Sequence, residues 1–594
     1  MRELKGEPGT IRAARKETQS CALELVGVSK AWGGGGGTSP GVRDIDLQVF
    51  EGSVVCVVGP SGCGKSTLLN LCAGFEQPTS GTVRCGGARV DGVNVGIGYI
   101  TQDATLFPWM TLRQNVEFPL EVGGVSADER HRRCDAYLEA VGLTGFGDHF
   151  PSQLSGGMKH RGALVRTMSY DPELVLMDEP FAGLDAPTRT LLENDLLVLL
   201  EERPKSVVFV THDITEAIAL GDRVVVLTNA PARIKQVFEV PFGRNRRLPD
   251  VLADPRFSAI QAEVWNCLRT EFPDARSETS DHVLSTLSQL PRRRKGPAVR
   301  RASTEPIVEG REPRSRRKWG VSLNLQTGLS TAVGRVGAIL IVLALWQLAS
   351  SLKLVNPLLF ATPASVLSEL VKFASGAPID GYPIYVHAET TLSEMAIGYI
   401  IGTGVGLALA FALAQSGFLS RVLEPLIFAA YGIPKIALAP LFVLFLGIGI
   451  ESKVGIVSID LFFVIFINTF AGIRQVNKEF PRLAAIFGAS PMMIHRKVTY
   501  PAALPSIFVG LKMGVPFALT GAIIGEFIAA TNGLGWLVDY AANNFQTTTL
   551  FASIVVLVVV VWVLSQMMLA LERKVLPWLS QDAGAGRGRN MQPN

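Results

Sequence analysis

The sequence predicts an α/β domain followed by an all-α polytopic membrane domain, on the strength of three observations. Residues 1–325 alternate charged and apolar stretches, whereas residues 330–575 are mostly apolar, with the charges gathered between the apolar runs. The apolar run Val54–Val58, rich in β-branched residues, leads into a glycine-rich turn and then a helical pattern. The 594 residues exceed what one core holds, roughly 250–300 residues. We therefore expect at least two domains.

Charge and cysteine content exclude several classes of protein. The net charge of +4 at pH 7 is too small to indicate a nucleic-acid partner. All seven cysteines lie in the first half and none forms a C-x-x-C pair, so we expect neither a zinc site nor a disulfide framework. The N-terminus lacks the apolar stretch of a secretory signal peptide. The first half is therefore expected in the cytosol, with reduced thiols.

The turn after Val54–Val58 reads "GPSGCGKST", a G-x-x-x-x-G-K-[ST] pattern between a strand and a helix. Its glycines let the backbone wrap closely around phosphate oxygens. The lysine of such a loop reaches the β- and γ-phosphates, and the following hydroxyl ligates Mg²⁺. The sequence thus predicts a nucleotide site formed by Gly59, Ser61, Gly62, Gly64, Lys65, Ser66 and Thr67.

A second buried run, "ELVLMDEP", ends on two carboxylates. Asp178 is expected at the carboxyl end of a strand in the same parallel sheet, where α/β proteins bind their ligands. A carboxylate there can hold Mg²⁺ beside the phosphates. Glu179, the next residue, can polarise an attacking water as a general base. We interpret the pair as the metal-binding and catalytic carboxylates.

The motifs "GPSGCGKST", "LSGG", "LVLMDEP", "AGLD" and "VTHD" occur in this order, and with them residues 20–270 resemble an ABC-type ATPase, a P-loop NTPase. The resemblance implies that Gln102 senses Mg²⁺ and the membrane domain, and that His212 contacts the γ-phosphate. It places Asp185 at a dimer seam and Trp32 on the adenine, although a glycine run after Trp32 also allows simple packing under a loop. The implied Mg²⁺ ligands are Ser66, Gln102 and Asp178.

In such ATPases the "LSGG" turn binds the nucleotide held by a second cassette, so the resemblance implies that Ser155, Gly156 and Gly157 face another P-loop. This chain has one P-loop, and its simplest partner is a second copy of itself. His160 stands where the family usually has Gln, which leaves the hydrogen bonds at this position open. Arg161 still matches the family pattern.

The expected domain plan has five parts: a disordered N-terminus (1–20), the ATP-binding domain (21–273), a flexible linker (274–325), the permease domain (326–578) and a disordered C-terminus (579–594). Within the linker, residues 291–318 carry 11 Lys/Arg against three Glu, a net of +8. We interpret this run as a tether beside anionic lipid headgroups instead of a nucleic-acid-binding segment.

Six apolar segments are long enough to span a bilayer, at roughly 20 residues per crossing. They lie at residues 333–352, 390–414, 423–447, 454–473, 505–529 and 550–571. Pro434 and Pro440 predict that the third is bent or broken. Since the basic linker precedes the first span, the positive-inside rule places the ATPase, the basic loop 474–504 and both termini in the cytosol. The chain is thus expected in the cytoplasmic (inner) membrane.

The loop "RLAAIFGASPMMIHRKVTYPAALPSIFVGLKMG" resembles the coupling loop of binding-protein-dependent importer permeases, whose short helix docks into the ATPase. The resemblance assigns docking to Ala484, Ala485 and Gly488. Arg482 replaces a glutamate that the family often has, which leaves that residue's salt bridge in doubt. Stretches such as "IPKIALAPLFVLFLGIG" and "TNGLGWLVDYAANNF" resemble the nitrate/sulfonate/taurine/bicarbonate branch, in which ATPase and permease are usually separate chains.

Four ionisable residues fall within the predicted spans, where burying charge is costly. They are Glu394, Asp460, Lys512 and Glu526. Each either lines the substrate path or makes a helix–helix or interfacial contact.

These features predict a homodimeric ATPase that imports a small solute with the help of a separate extracytoplasmic binding protein. The branch resemblance implies an anion such as nitrate, a sulfonate or bicarbonate, with small heterocyclic precursors also open. Two alternatives remain: an ABC exporter, and a membrane-tethered ATPase with a regulatory role. Exporters commonly place the membrane domain first, and a tethered regulator needs no matched docking loop.

Overall fold

The computed structural model describes residues 20–34, 37–202, 204–243, 246–271, 325–352, 356, 360–379 and 381–579. The expected disordered termini and basic linker fall almost entirely outside the described residues. The chain forms two compact units. The described residues up to 271, with 472–505 and 573–579, make the first, and those within 325–471 and 506–572 make the second. The predicted coupling loop therefore folds as part of the unit that holds the ATPase motifs.

The first unit contains two sheets. One is four-stranded, in the order β2-β1-β4-β5, and the other is six-stranded, in the order β10-β9-β3-β8-β7-β6. The strands are β1 (Cys21–Gly34), β2 (Gly37–Phe50), β3 (Val54–Val58), β4 (Ser80–Cys85), β5 (Ala88–Arg89), β6 (Gly98–Ile100), β7 (Leu174–Asp178), β8 (Ser206–Val210), β9 (Arg223–Leu227) and β10 (Ile234–Glu239).

The centre of the six-stranded sheet is parallel: β3 pairs with β8 and β9, and β7 pairs with β6 and β8. Strands β3 and β8 are buried along their whole length. That burial matches their continuous valine-rich sequences, because a parallel sheet is covered on both faces. The carboxyl ends of β3, β7 and β8 consequently meet at one edge, followed in sequence by the phosphate loop, Glu179 and Thr211.

Eight helices accompany these strands before residue 272, within the described part of the chain. They are α1 (Lys65–Cys72), α2 (Leu112–Val122), α3 (Ala127–Ala140), α4 (Gly156–Met168), α5 (Ala186–Glu202), α6 (Ile214–Leu220), α7 (Leu248–Ala253) and α8 (Pro255–Arg269). Helix α2 begins with a complete capping box between Thr111 and Gln114, which satisfies two of its otherwise unpaired backbone N–H groups.

The second half of the chain is helical. Its helices are α9 (Leu325–Ser351), α10 (Pro363–Ala374), α11 (Ile384–Gln415), α12 (Gly417–Tyr431), α13 (Ala439–Leu446), α14 (Ile450–Arg474), α15 (Glu479–Ile486), α16 (Pro491–Ile494), α17 (Tyr500–Ala529), α18 (Leu534–Asn543) and α19 (Thr547–Val575). A ribbon of two short strands, β11 (Pro378–Ile379) and β12 (Tyr382–Pro383), is the departure from the predicted all-α composition.

Among the described residues, four helical segments are long and apolar enough to cross a membrane: Ile384–Gln415, Ile450–Arg474, Pro491–Ala529 and Thr547–Val575. A fifth span exists if Gly417–Tyr431 and Lys435–Leu446, which meet at an angle of 89°, are counted as one. The break occurs where Pro434 and Pro440 predict it. Helix α9 covers the first predicted span, and its stretch Leu340–Ser351 is a shorter apolar helix among the described residues. The count of six therefore stays a prediction.

Candidate functional site: a nucleotide cradle and a docked loop

The phosphate loop has a backbone that only glycine permits. Gly62 and Gly64 have φ angles of +76° and +125°, in the region that side chains disfavour. A Cβ on Gly64 would also lie 2.5 Å from the carbonyl oxygen of Gly41. The Lys65 ammonium donates to the carbonyl oxygens of Gly59 (2.9 Å) and Pro60 (3.1 Å). The loop therefore holds its lysine over the cradle where phosphates are expected.

Ser66 and Asp178 come together as predicted from two distant motifs. The Ser66 hydroxyl hydrogen-bonds the Asp178 carboxylate at the end of β7. Burial raises the pKa of Asp178, while the Ser66 hydrogen bond and the charge of Lys65 act in the opposite direction. A hydroxyl and a carboxylate beside a phosphate cradle are the oxygen ligands that Mg²⁺ prefers. The donor set fits this ion.

Glu179 lies between a cation and an imidazole. Its N–H donates to the Val210 carbonyl oxygen at 2.9 Å, and its φ angle is +46°, a conformation uncommon for any residue but glycine. One carboxylate oxygen is 2.9 Å from His212 Nδ1, and the other is 4.0 Å from Lys65 Nζ. This geometry aims the carboxylate at the cradle with an imidazole beside it, an arrangement able to orient and deprotonate water.

Trp32 lies at the edge of the same region. A Cβ on Gly41 would meet Trp32 Nε1 at 3.3 Å and the Thr67 side chain at 3.4 Å, so all three lie close together. The indole is 44% exposed, and the Lys30 ammonium lies over it, 4.8 Å from the ring centroid. The ring is thus half-exposed beside the phosphate loop, with an ammonium over one of its faces.

The signature turn lies on the surface of the ATPase unit. Ser155 and Gly156 are exposed, and the Ser155 hydroxyl caps α4 by accepting from Met158 N. In the described residues no hydrogen bond or ion pair joins this turn to the phosphate loop. Gly157 has no room for a side chain, because its Cβ would lie 2.8 Å from Thr188. The turn is available to another cassette.

The remaining predicted residues, Gln102, Asp185 and His160, differ in the contacts that their side chains make. Gln102 is exposed and makes no hydrogen bond to Ser66 or Asp178 in the described structure. Asp185 has a lowered pKa, chiefly because the Thr188 side chain donates to its carboxylate. His160 contacts the Pro180 backbone, and burial lowers the pKa of its ring. His160 is therefore mainly neutral at pH 7, hydrogen-bonded to the residue that follows Glu179.

The predicted coupling loop packs into the hydrophobic core of the ATPase unit. Leu483, Ala484 and Ile486 on α15 are at most 1% exposed and belong to the core cluster that contains the P-loop strand. One face of helix α15 is therefore part of that core. Ala485, the other predicted docking alanine, is only partly buried.

Polar contacts fix the same loop at its two ends. The Thr105 hydroxyl donates to Glu479 at 3.0 Å, and Trp109 Nε1 donates to the Lys497 carbonyl oxygen at 2.9 Å. Lys497 also forms an ion pair with Glu121. These contacts join the stretch that follows Gln102, and helix α2, to the coupling loop.

Gly488 and Arg482 complete the docking geometry. Gly488 has φ +88°, and a Cβ there would lie 3.1 Å from Val95 Cγ1. Arg482 lies over the Phe75 ring at 5.3 Å and 3.9 Å from Glu76. The position that the family often fills with glutamate thus carries the opposite charge and pairs with a carboxylate of the ATPase unit.

Several residues of this interface were not predicted from the sequence: Thr105, Trp109, Arg166, Glu479, Phe480 and Phe487. Arg166, on α4, is 1% exposed, and its Nη1 donates to the Thr105 carbonyl oxygen at 2.7 Å. Phe480 and Phe487 pack on Phe107 and Phe118 respectively. The segment 105–118 contains Phe107, Trp109 and Phe118 and is richer in aromatic residues than the whole chain, which has 8%. The loop 474–504 has no comparable excess, so the sequence carried a signal on one side of the contact only.

Three of the four ionisable residues predicted within the spans have polar partners in the membrane unit. Glu394 pairs with Lys453 at 2.8 Å, and Lys512 pairs with Glu572 at 2.7 Å. Glu526 accepts from the Thr391 hydroxyl at 2.6 Å and from Gly535 N at 2.5 Å. These three residues make contacts between helices. Asp460 is the exception.

Four features together define an ATP-binding cassette. They are the P-loop cradle, a carboxylate placed to bind Mg²⁺, a glutamate placed to act as a general base, and a signature turn on the surface. The ABC transporter family matches residues 42–182, and the binding-protein-dependent transport system inner membrane component matches residues 402–580. The chain belongs to the ABC transporters, with ATPase and permease fused. It is an ATPase whose hydrolysis is coupled to transport, and it is a multi-pass membrane protein.

Relatives match the first half of the chain. An uncharacterised ABC transporter ATP-binding protein of Methanocaldococcus jannaschii is 41% identical over 257 residues, 43% of this chain and 95% of the relative. A nitrate import ATP-binding protein of Synechococcus elongatus is 42% identical, over 39% of this chain and 85% of its own length. A taurine import ATP-binding protein of a Jannaschia species is 38% identical, over 39% and 87%.

A solved dimeric ATP-binding cassette in a post-hydrolysis state, with ADP and phosphate bound, is 32% identical to this chain. The match covers 37% of this chain and all of that one, with a TM-score of 0.35.

Proposed function

We propose that two copies of this chain form an importer that uses ATP to move a small anion-type solute across the cytoplasmic membrane into the cell. The ATPase unit and both termini would lie on the cytoplasmic side. A separate extracytoplasmic binding protein would deliver the solute. The names of the nitrate and taurine import relatives support the anion class.

The observation that carries this proposal is the burial of α15 in the ATPase core. Ala484 is 0% exposed there. Glu479 accepts a hydrogen bond from Thr105, which lies three residues after Gln102 in the chain. A nucleotide-dependent movement around Gln102 would therefore move the coupling loop, which continues directly into the spans α14 and α17. Rigid, packed contacts of this kind transmit displacement because a close-packed core does not deform continuously.

ATP hydrolysis is proposed to occur at two shared sites between the cassettes. Lys65 and the loop glycines would bind the phosphates in one copy, and Ser155, Gly156 and Gly157 of the other would close over them. Ser66 and Asp178, with Gln102, would hold Mg²⁺, which neutralises the phosphate charge when bound. Glu179 would take the proton of the attacking water, with His212 beside it. Trp32 would stack on the adenine, and Asp185 would lie at the seam.

Reconstitution tests the proposal directly. The full chain is placed in proteoliposomes with ATP, and candidate binding proteins are added on the side opposite the ATPase, each loaded with radiolabelled nitrate, taurine or bicarbonate. We expect one loaded binding protein to stimulate ATP hydrolysis and to drive uptake toward the ATPase side, as uptake and hydrolysis share one conformational cycle. Solute moving away from that side, or hydrolysis indifferent to every binding protein, would contradict it.

The two outcomes identify the alternatives. Outward movement would make the protein an exporter, and hydrolysis without any solute movement would make it a tethered regulatory ATPase. The variant Glu179→Gln serves as the control for ATP-driven movement, because it keeps the fold and binding site while removing the proposed base.

A further inference from the structure

Asp460 is a carboxylate without a hydrogen-bond or ion-pair partner among the described residues of the membrane unit. It lies on α14 and is 5% exposed. Within the described part of the chain it accepts no hydrogen bond and forms no ion pair, unlike Glu394 and Glu526 in the same unit. Lys435 is the charged residue that acts on it electrostatically. Burying an unpaired carboxylate in an apolar segment is costly, so such a residue calls for a functional explanation.

Lys435 is the matching cation, and most of its hydrogen-bonding capacity is unused. Its ammonium donates to the Tyr431 carbonyl oxygen at 3.2 Å, whereas a lysine carries three donors. The ammonium lies over the Tyr431 ring at 4.2 Å and near the Phe463 ring at 5.7 Å. No carboxylate of the described residues forms an ion pair with it. The cation is therefore positioned by two aromatic rings and left open to a further acceptor.

Lys435 lies at the break in the third predicted span, and Asp460 lies on α14, the helix of the fourth. Lys435 begins the short 3₁₀ segment Lys435–Leu438, directly where the helix pair turns by 89°. It is also midway along the apolar stretch 423–447. Asp460 precedes Phe463 by three residues on α14, so the two side chains share one face of that helix. In secondary transporters, interrupted spans near the bilayer midplane commonly form the solute sites.

We propose that Lys435 and Asp460 are the two poles of a binding site for a small zwitterion on its way through the permease. The anionic group of the solute would accept from Lys435, its ammonium would donate to Asp460, and the rings of Tyr431 and Phe463 would line the space between. This inference rests on the proposed import function and narrows it to an aminosulfonate of the taurine type.

The charges favour a zwitterion over a simple anion. Nitrate would be attracted by Lys435 but repelled by Asp460, whose charge has no other neutralising partner among the described residues. A solute with both charges satisfies both side chains, and charge-assisted hydrogen bonds of this kind are about twice as strong as neutral ones. A binding-site charge that repels the wrong solute is also a common source of specificity.

The test measures protection of Lys435 in the full chain, held in lipid nanodiscs without ATP. Lysines are acetylated with N-hydroxysuccinimidyl acetate, and the modification of Lys435 is quantified by mass spectrometry with increasing taurine, 2-hydroxyethanesulfonate or nitrate. The hydroxysulfonate has the same anionic group as taurine and lacks the ammonium. We expect taurine to protect Lys435 at concentrations about tenfold lower than either of the other two solutes. A tenfold difference in affinity corresponds to the free energy that one charge-assisted hydrogen bond contributes. The amine of taurine also consumes the reagent, so protection is measured as the fall in Lys435 modification relative to exposed Lys478, the internal standard.

Asp460→Asn removes one pole and keeps the shape of the side chain. In this variant we expect taurine and the hydroxysulfonate to protect Lys435 equally. The comparison of the three solutes in the unmodified chain stands by itself if the variant does not fold. Equal protection by all three, stronger protection by nitrate, no protection, or a Lys435 that is never acetylated would each overturn the site. Import that succeeds in proteoliposomes beside such a result would refute this site alone, whereas absent uptake would refute the proposed function.

Discussion

Arg166 stacks its guanidinium on Phe487, with 5.6 Å between Cζ and the ring centroid. Arg166 belongs to α4, which begins at the signature turn, and Phe487 directly follows the coupling helix α15. The same guanidinium lies 5.7 Å from the Phe107 ring, and burial lowers its pKa to about 10, so it stays charged near neutral pH. The helix that would touch a second copy's nucleotide and the loop that leads to the spans therefore share one buried cation.

Arg166→Met should weaken both the unit and its coupling. Methionine fills much of the volume but leaves the Thr105 carbonyl oxygen unpaired and the two rings without a cation, which costs about 1–3 kcal/mol. We expect a lower melting temperature and a smaller ratio of solute-stimulated to basal ATP hydrolysis. Arg166→Lys, which retains the charge, should recover part of that ratio. A ratio that remains at the wild-type value in Arg166→Met would refute the coupling role.

Gly488→Val should uncouple transport from hydrolysis. Valine cannot adopt φ +88° without strain of about 1–2 kcal/mol, and its Cβ would press on Val95. We expect uptake to fall while basal ATP hydrolysis persists. Gly145→Val is the matched control, because Gly145 also has φ +88° but no atom within 4 Å of its Cβ position. If both variants lose uptake equally, backbone strain and not docking is responsible.

Glu179→Gln should bind ATP and hold it. The amide preserves the shape of the side chain but cannot accept the proton of water, so turnover should drop by about 10²–10⁴-fold. The measurement is steady-state phosphate release alongside retention of labelled ATP. Asp195→Asn, at a carboxylate on α5 that pairs with Arg161, is the control and should hydrolyse normally. Turnover of Glu179→Gln near the wild-type rate would contradict the assignment of Glu179 as the general base.

Glu193 should make the stability of the ATPase unit depend on pH. Burial, reinforced by nearby Glu216, raises its pKa from 4.5 to about 7. The folded state therefore binds more protons than the unfolded state in this window, and stability falls as the pH rises through it. Glu193→Gln should be more stable than wild type by up to about 3 kcal/mol above pH 7, with no difference below pH 4.5.

The measurement is the melting temperature of both proteins across this pH range. Glu201→Gln, at an exposed position of the same helix α5, is the control for the loss of a surface carboxylate. A constant offset between Glu193→Gln and wild type at every pH would contradict the expected titration.

The class of fold followed from local spacing. The P-loop lies between a five-residue valine-rich strand and a helix, and the sequence alone predicted an α/β domain, a helical membrane half and a break at Pro434 and Pro440. These were predictable because hydrophobic periodicity, glycine and proline act over a few residues. The number of spans was less secure, since apolar length cannot separate a broken span from two short helices.

The sequence by itself determined the cassette, the fused permease and the residues at which phosphate chemistry is expected, because these depend on motifs whose members lie close together in the chain. Only the tertiary structure decided that Arg166 stacks on Phe487 and that Thr105 donates a hydrogen bond to Glu479. It also decided which ionisable residues of the spans have polar partners: Glu394, Lys512 and Glu526 have them, whereas Asp460 has only the electrostatic influence of Lys435. Each of these contacts joins residues far apart in the chain or on different helices. Such pairings are set by how whole elements pack, and no local pattern encodes them.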